Sequence, residues 1–214
     1  TFLGVHDMER FMNEKGATIE GLKLAQTFIM TTRGTPLLYY GDEIAMSGGG
    51  DPDNRRDFAG GFAGDKTNAF DAAGRSREQN EVWNHLAKLG ALRQKYESLR
   101  TGKSLDLLDE EQQMAYARFI GKNVTSVIVV FNNDSKSAKV EFQVTPSSTC
   151  QSKDGKENFI EQFEWARPTD IQQLWLWNGN ILTDRLGNLG DVKIDCGKFK
   201  LTMPARTAGI FTVK

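Results

Sequence analysis

Gly34-Thr35-Pro36-Leu37-Leu38-Tyr39-Tyr40-Gly41-Asp42-Glu43-Ile44 is the stretch on which the fold turns. Leu37 to Tyr40 is apolar without alternation, which suits a strand buried on both faces, as in a parallel sheet. Immediately upstream, Glu20 to Thr32 carries Leu22, Leu24, Ala25, Phe28, Ile29 and Met30, too many apolar residues for one narrow stripe. That segment reads as a helix packed on more than one side. Thr18 is its candidate cap, and Gly34 with Pro36 stops it. Helix followed by buried strand is the signature of an α/β unit. The acidic pair Asp42-Glu43 then falls where an α/β barrel puts its chemistry, at the C-terminal end of a strand.

On the near side of this stretch, Phe2-Leu3 is a short apolar run followed by His6-Asp7 in the corresponding place. On the far side, residues 47–74 form a glycine-rich loop with Asp51, Asp53, Arg55, Arg56 and Asp57. Loops of this length in compact domains usually carry function or move. Ser76 and Gln79 make a capping box. Val82, Trp83, Leu86, Leu89, Leu92, Tyr96 and Leu99 continue at helical spacing, so one long amphipathic helix is expected up to Gly102. Beyond it the character changes. Met114–Ile120, Val124–Phe131, Lys139–Val144, Leu174–Trp177, Val192–Asp195, Phe199–Met203 and Ala208–Val213 read as short strands. Asn132-Asn133-Asp134-Ser135 and Trp177-Asn178-Gly179-Asn180 supply turn chemistry between them. Such a series argues an antiparallel β-sandwich. Thr145 to Thr169 is polar and irregular, as an insertion would be.

Composition excludes several functions. Lys and Arg total 27 and Asp and Glu 28 in 214 residues, for a net charge of −1. That balance excludes a global electrostatic attraction to nucleic acid or to an anionic membrane. No run approaches the roughly 18–20 apolar residues of a membrane span. The first residues lack Met, a basic region and an apolar region, so they are no signal peptide, and the chain reads as one entered in mid-sequence. The compartment stays open. Cys150 and Cys196 are too few for a zinc site. They either pair or remain partly buried thiols, and the tendency of free Cys to be buried favours the second. Gly60 to Gly64 lacks the Gly-Lys-Ser/Thr of a phosphate loop. Asp51-Pro52-Asp53-Asn54-Arg55 has Arg at the fifth position and no Gly at the sixth, which a calcium loop does not tolerate. No metal is expected.

What remains suits sugars. Carboxylates and guanidinium groups bond neighbouring hydroxyls, and the rings of Tyr39, Tyr40, Phe58 and Phe62 offer cover for the apolar faces of a pyranose. The arrangement resembles a known family. Phe2-Leu3-Gly4-Val5-His6-Asp7 is similar to the fourth signature region of glycoside hydrolase family 13, the α-amylase family, written F-x-x-N-H-D. Residues 34–44 resemble its G-x-P-x-x-Y-Y-G-x-E segment on the last barrel strand. Asp51-Pro52-Asp53-Asn54-Arg55-Arg56 resembles the D-P-x-x-R stretch of the cyclomaltodextrinase and neopullulanase branch. Val5 stands where the family usually has Asn, and Gly4 where it often has Asp.

The resemblance implies roles. Asp7 would be the third catalytic carboxylate, stabilising the oxocarbenium-like transition state, and His6 would bond the same sugar in the −1 subsite. Asp51 and Arg55 would hold a more distant glucose on the non-reducing side. The partner would be an α-glucan oligosaccharide or cyclodextrin, cut at α-1,4 bonds with retention, and no cofactor is called for. The fold implied is the last two β/α units of a (β/α)₈ barrel in residues 1–102, followed by a β-sandwich in residues 103–214. A complete barrel takes about 250 residues, so the length excludes a self-sufficient glycosidase. The family's nucleophile and acid/base lie on the fourth and fifth barrel strands, ahead of the His-Asp segment. The chain alone is therefore expected to be inactive and to need an upstream barrel segment of the same polypeptide. Two rivals stand beside this. One is a non-catalytic carbohydrate-binding or scaffold module built on Trp165, Trp175 and Trp177. The other is a transglycosylase of the same family.

Overall fold

The computed structural model describes residues 1–121, 124–144, 176 and 178–214. Two compact units emerge, one of Thr1–Met30 with Gly34–Leu92, the other of Thr31–Arg33 with Arg93–Lys214.

In the first unit, helix α1 (Ile19–Thr31) starts where its cap was expected. Thr18 Oγ1 accepts from the Gly21 amide at 3.0 Å, and the Thr18 carbonyl takes the Leu22 amide at 2.9 Å. Leu22, Leu24, Ile29 and Met30 are buried together with Gln26 and Thr27, so the helix is enclosed on more than one side. Helix α2 (Arg77–Lys95) begins at a closed capping box. Ser76 N donates to Gln79 Oε1 at 2.8 Å, and Gln79 N to Ser76 Oγ at 3.1 Å, which satisfies two orphan helix donors reciprocally. Its buried face is Val82, Leu86, Leu89 and Leu92.

The apolar run at 37–40 is not the doubly buried strand its composition suggests. Leu37 forms a single parallel bridge with Phe2, and both are about half exposed, at 48% and 50%. With no further strand alongside among the described residues, Leu37 and Leu38 stay exposed. A parallel bridge with a helix between its partners is nevertheless the connection of a βαβ unit.

The long loop is closed by its own polar groups. Asp65 Oδ2 accepts from the amides of Gly60 and Phe62 at 2.6 and 3.2 Å. Asn68 Oδ1 takes the Phe70 amide at 3.0 Å, and Asn68 Nδ2 donates to Asp71 at 2.8 Å. A Cβ on Gly74 would lie 1.8 Å from the Asn68 carbonyl oxygen, so only glycine closes this turn. Arg75 lies over the Trp83 ring at 4.1 Å and donates to the Ala69 carbonyl at 2.9 Å, pinning the loop to α2.

The second unit holds a short helix and two antiparallel sheets. Helix α2 stops at Lys95, Tyr96 is extended, and α3 (Glu97–Thr101) follows, so the expected unbroken helix to Gly102 is two helices. Strands β1 (Lys103–Asp109), β2 (Gln113–Phe119), β3 (Val127–Asn132), β4 (Ala138–Gln143), β5 (Ile181–Asp184), β6 (Val192–Lys193), β7 (Lys198–Met203) and β8 (Thr207–Val213) come next. The larger sheet has the order β1-β2-β3-β8-β5-β6, and β4 pairs with β7 in the smaller one. Alternate residues of both sheets meet in one core: Ala115, Ala117, Phe119, Ile128, Val130 and Phe211 from the first, Val140, Phe142, Phe199 and Met203 from the second. Phe142 stacks on Phe199 at 4.8 Å, and Phe199 meets Phe211 edge-on at 5.0 Å across the sheets.

Two strands, β1 and β5, have no counterpart in the sequence reading, and the strand expected at 192–195 is only two residues long. Cys196 is disulfide-bonded rather than a free thiol. Cys150, the stretch 145–169 and Trp165, Trp175 and Trp177 lie outside the described residues. No helix among the described residues is long and apolar enough to cross a membrane.

On the other face of β2, Arg118 is 1% exposed. Its guanidinium donates to the carbonyls of Thr31, the last residue of α1, and of Gly102, the residue capping α3, the latter at 2.8 Å. Tyr116 OH joins Thr31 Oγ1 at 2.6 Å, and burial pushes its phenol far above the ordinary value.

Candidate active site

The turn after Phe2 presents His6 and Asp7 to solvent, with side chains 63% and 68% exposed. They are joined to each other, His6 Nε2 lying 3.2 Å from Asp7 Oδ1. The 51–56 segment comes back over this turn. Arg55 Nη2 reaches Asp7 Oδ1 at 3.4 Å, while Arg55 Nε lies 3.0 Å from Asp51 Oδ1 and donates to the His6 carbonyl at 3.0 Å. All four residues singled out by sequence, His6, Asp7, Asp51 and Arg55, therefore stand in one exposed cluster with Arg55 at its centre. Two carboxylates share one guanidinium, an arrangement that turns both toward the same side.

Beneath this cluster sits a buried layer that the sequence does not announce. Asn54 bonds the His6 and Met8 carbonyls at 2.8 and 2.9 Å. Arg10, 1% exposed, donates through Nε to the Asn54 carbonyl at 2.9 Å and through Nη1 to the Tyr40 carbonyl at 2.7 Å. Its guanidinium packs over Tyr39 at 4.5 Å and Tyr40 at 4.8 Å, and lies 3.6 Å from Asp42 Oδ1. Asp42, read from sequence as a site residue at a strand end, is instead buried under the site. Burial pushes its carboxyl up to about 6 against the opposing pull of Arg10. Charged residues are almost never fully buried unless paired, so nothing in the local pattern marks Arg10 or Asp42 as interior.

The loop beside the cluster is braced at both ends. Asp53 Oδ2 takes the Gly49 amide at 2.7 Å, and its other oxygen takes the Arg56 guanidinium. Those two bonds hold its carboxyl below the usual range. Tyr40 OH donates to the Arg56 carbonyl at 2.8 Å. The expected aromatic cover is divided. Tyr39 and Tyr40 pack on each other at 4.7 Å, while Phe58 packs on Phe70 at 4.6 Å and Phe62 is exposed. Among the described residues, no group of three or more His, Cys, Asp or Glu is placed to hold a metal.

Residues 1–102 match the family model described as the α-amylase catalytic domain. A cyclomaltodextrinase of Geobacillus thermopakistaniensis is 31% identical over 144 residues, covering 66% of this chain and 22% of that protein. Neopullulanase 2 of Thermoactinomyces vulgaris is 32% identical over 186 residues, covering 83% and 29%. A cyclomaltodextrin glucanotransferase of a Bacillus species is 34% identical over 145 residues, covering 68% and 18%. The chain thus spans less than a third of the length of these curated relatives. Among solved structures, the α-amylase of Geobacillus thermoleovorans in complex with acarbose superposes with a TM-score of 0.71 at 26% identity, over 100% of this chain and 38% of that one.

Proposed function

The chain belongs to the α-amylase family through residues 1–102, and from that premise we propose that it is the C-terminal portion of a retaining α-glucan hydrolase. Residues 1–102 supply the last two β/α units of the barrel, and residues 103–214 form the β-sandwich that follows it in the chain. The substrate is an α-1,4-linked maltodextrin or cyclodextrin.

The observation that carries this reading is Arg55 held between Asp7 and Asp51. Hydrolysis with retention uses two carboxyl groups about 5–5.5 Å apart, one forming a covalent glycosyl bond and one moving a proton to and from the glycosidic oxygen. Asp7 does neither. Its carboxylate, oriented by His6 and Arg55, bonds hydroxyls of the sugar in the −1 subsite. Those bonds strengthen as the ring flattens and becomes positive, and the fixed negative charge favours that state. His6 donates to the same sugar. Asp51 and the outer face of Arg55 hold a more distant glucose, whose binding keeps the chain in register.

The nucleophile and acid/base belong to the rest of a longer polypeptide, in keeping with the fraction of the relatives that this chain spans. The 214 residues alone release no reducing sugar from maltodextrin, whereas the full-length polypeptide does. In the latter, Asp7→Asn lowers kcat by about 10²–10³-fold, the usual cost of removing one group that stabilises transition-state charge. Robust hydrolysis by the purified 214-residue chain overturns the proposal. The glucanotransferase relative favours one further reading, transfer to a sugar acceptor in place of water. Cyclic or elongated products from the full-length polypeptide distinguish it from hydrolysis, which gives only shorter linear ones.

A further inference from the structure

Side chains orient the Asp7 carboxylate, but its place in space is set by its backbone, and one residue holds that backbone from below. Asn54 is 1% exposed. Its Nδ2 donates to the carbonyls of His6 and Met8, on either side of Asp7. Both carbonyls can only accept, so the amide orientation is fixed with its nitrogen toward them. Its Oδ1 is buried and makes no hydrogen bond among the described residues. An amide satisfied twice as donor and not at all as acceptor occupies this position for its two N–H groups. Buried polar atoms left without partners are rare and call for a reason. Asn54 is itself fixed, because its carbonyl accepts from buried Arg10. The next residue, Arg55, is the one that touches Asp7 and Asp51.

We propose that Asn54 is a positioning residue for the chemistry assigned to Asp7, clamping the backbone before and after it, at the His6 and Met8 carbonyls, so that the carboxylate meets the sugar without rearrangement. This rests on the α-glucan reading above. The clamp lies outside substrate reach, so its effect is on the transition state and passes through Asp7.

The experiment is a double-mutant cycle on maltodextrin hydrolysis by the full-length polypeptide, with folding of each variant verified by thermal melts. Asn54→Leu keeps the branched arrangement of heavy atoms and removes both donors. It lowers kcat about 10–100-fold, the scale of a small misplacement at a reacting centre, and moves KM much less. Added to Asp7→Asn, it costs nothing further, because the group it positions is already gone. A residue needed only for stability gives losses that multiply. If Asn54→Leu does not fold, the same cycle is run with Asn54→Ser, which leaves room for a water. Multiplying losses, or an unchanged kcat in the Asn54 variant, overturn the proposal. An unchanged kcat in Asp7→Asn alone overturns the role given to Asp7 instead.

Discussion

His85 and Asp42 titrate in opposite senses. His85 Nε2 lies 3.1 Å from the Lys23 carbonyl and 3.0 Å from Thr27 Oγ1, and since that carbonyl only accepts, Nε2 carries the proton. Burial pushes the imidazole down to about 4, with the bond to Lys23 opposing. The unfolded chain takes up a proton near pH 6.5 and the folded one does not, so His85 withdraws stability as pH falls from 6.5 toward 4. Asp42 has the reverse sign. Its folded value is raised to about 6, so its contribution is complete below the unfolded value of 3.8 and is lost as pH rises through 6. Each amounts to up to about 3 kcal/mol, and over one window the two largely cancel. His85→Gln therefore unmasks a protein that melts higher near pH 4.5 than near pH 7.5 relative to wild type. Asp42→Asn unmasks the opposite slope, and melts across that range measure both. Neither group's burial is legible in sequence, where His85 is one charged-helix residue among many. The Ser76–Gln79 capping box is legible, because both of its bonds are local in the chain.

Elements with an unbroken period are legible in the sequence, and breaks within a period are not. The helical spacing of Leu92, Tyr96 and Leu99 continues straight through the extended residue Tyr96, so periodicity does not see the break between α2 and α3. Arg93 and Arg100 hold it: Arg93 Nη1 donates to the Leu99 carbonyl and Arg100 Nη1 to the Arg93 carbonyl, each at 2.7 Å. Strand β1 keeps Leu105 and Leu107 in the core on alternate positions, but the adjacent Leu107 and Leu108, at the register shift against β2, blur that alternation in the sequence. Strand β5, four residues long, follows so closely on Asn178-Gly179-Asn180 that it reads as turn. Arg118→Leu removes the hydrogen bonds that its guanidinium gives to the Thr31 and Gly102 carbonyls and is expected to cost about 3–6 kcal/mol, at about 1.5–3 for each bond to a charged group. Arg118→Lys recovers little, since one ammonium does not reproduce the guanidinium fork. Urea midpoints at unchanged m-value measure both.

At the scale of the molecule, an α/β pattern and a β pattern differ in period, which is why the sequence changes character near residue 102, whereas the compact units part at Leu92 and Arg93. The convergence of His6 and Asp7 with Asp51 and Arg55 was legible only through the family resemblance, since nothing in spacing alone brings residues 48 apart together. The half-exposed bridge of Phe2 with Leu37, with Leu38 exposed beside it, leaves apolar strand edges open. Such edges recruit further strands. The 214-residue chain is expected to associate in proportion to its concentration, and light scattering across a dilution series tests this. Phe2→Lys with Leu37→Lys suppresses the association, while a chain monodisperse at high concentration contradicts it. The turn that closes the long loop bears on how such a protein can be rebuilt. Because the Gly74 backbone lies against the Asn68 carbonyl, residues 68–74 form one heritable block. Chimeras that exchange this loop between relatives fold when the crossover points fall outside the block, and fail when a crossover within it brings a side chain to position 74.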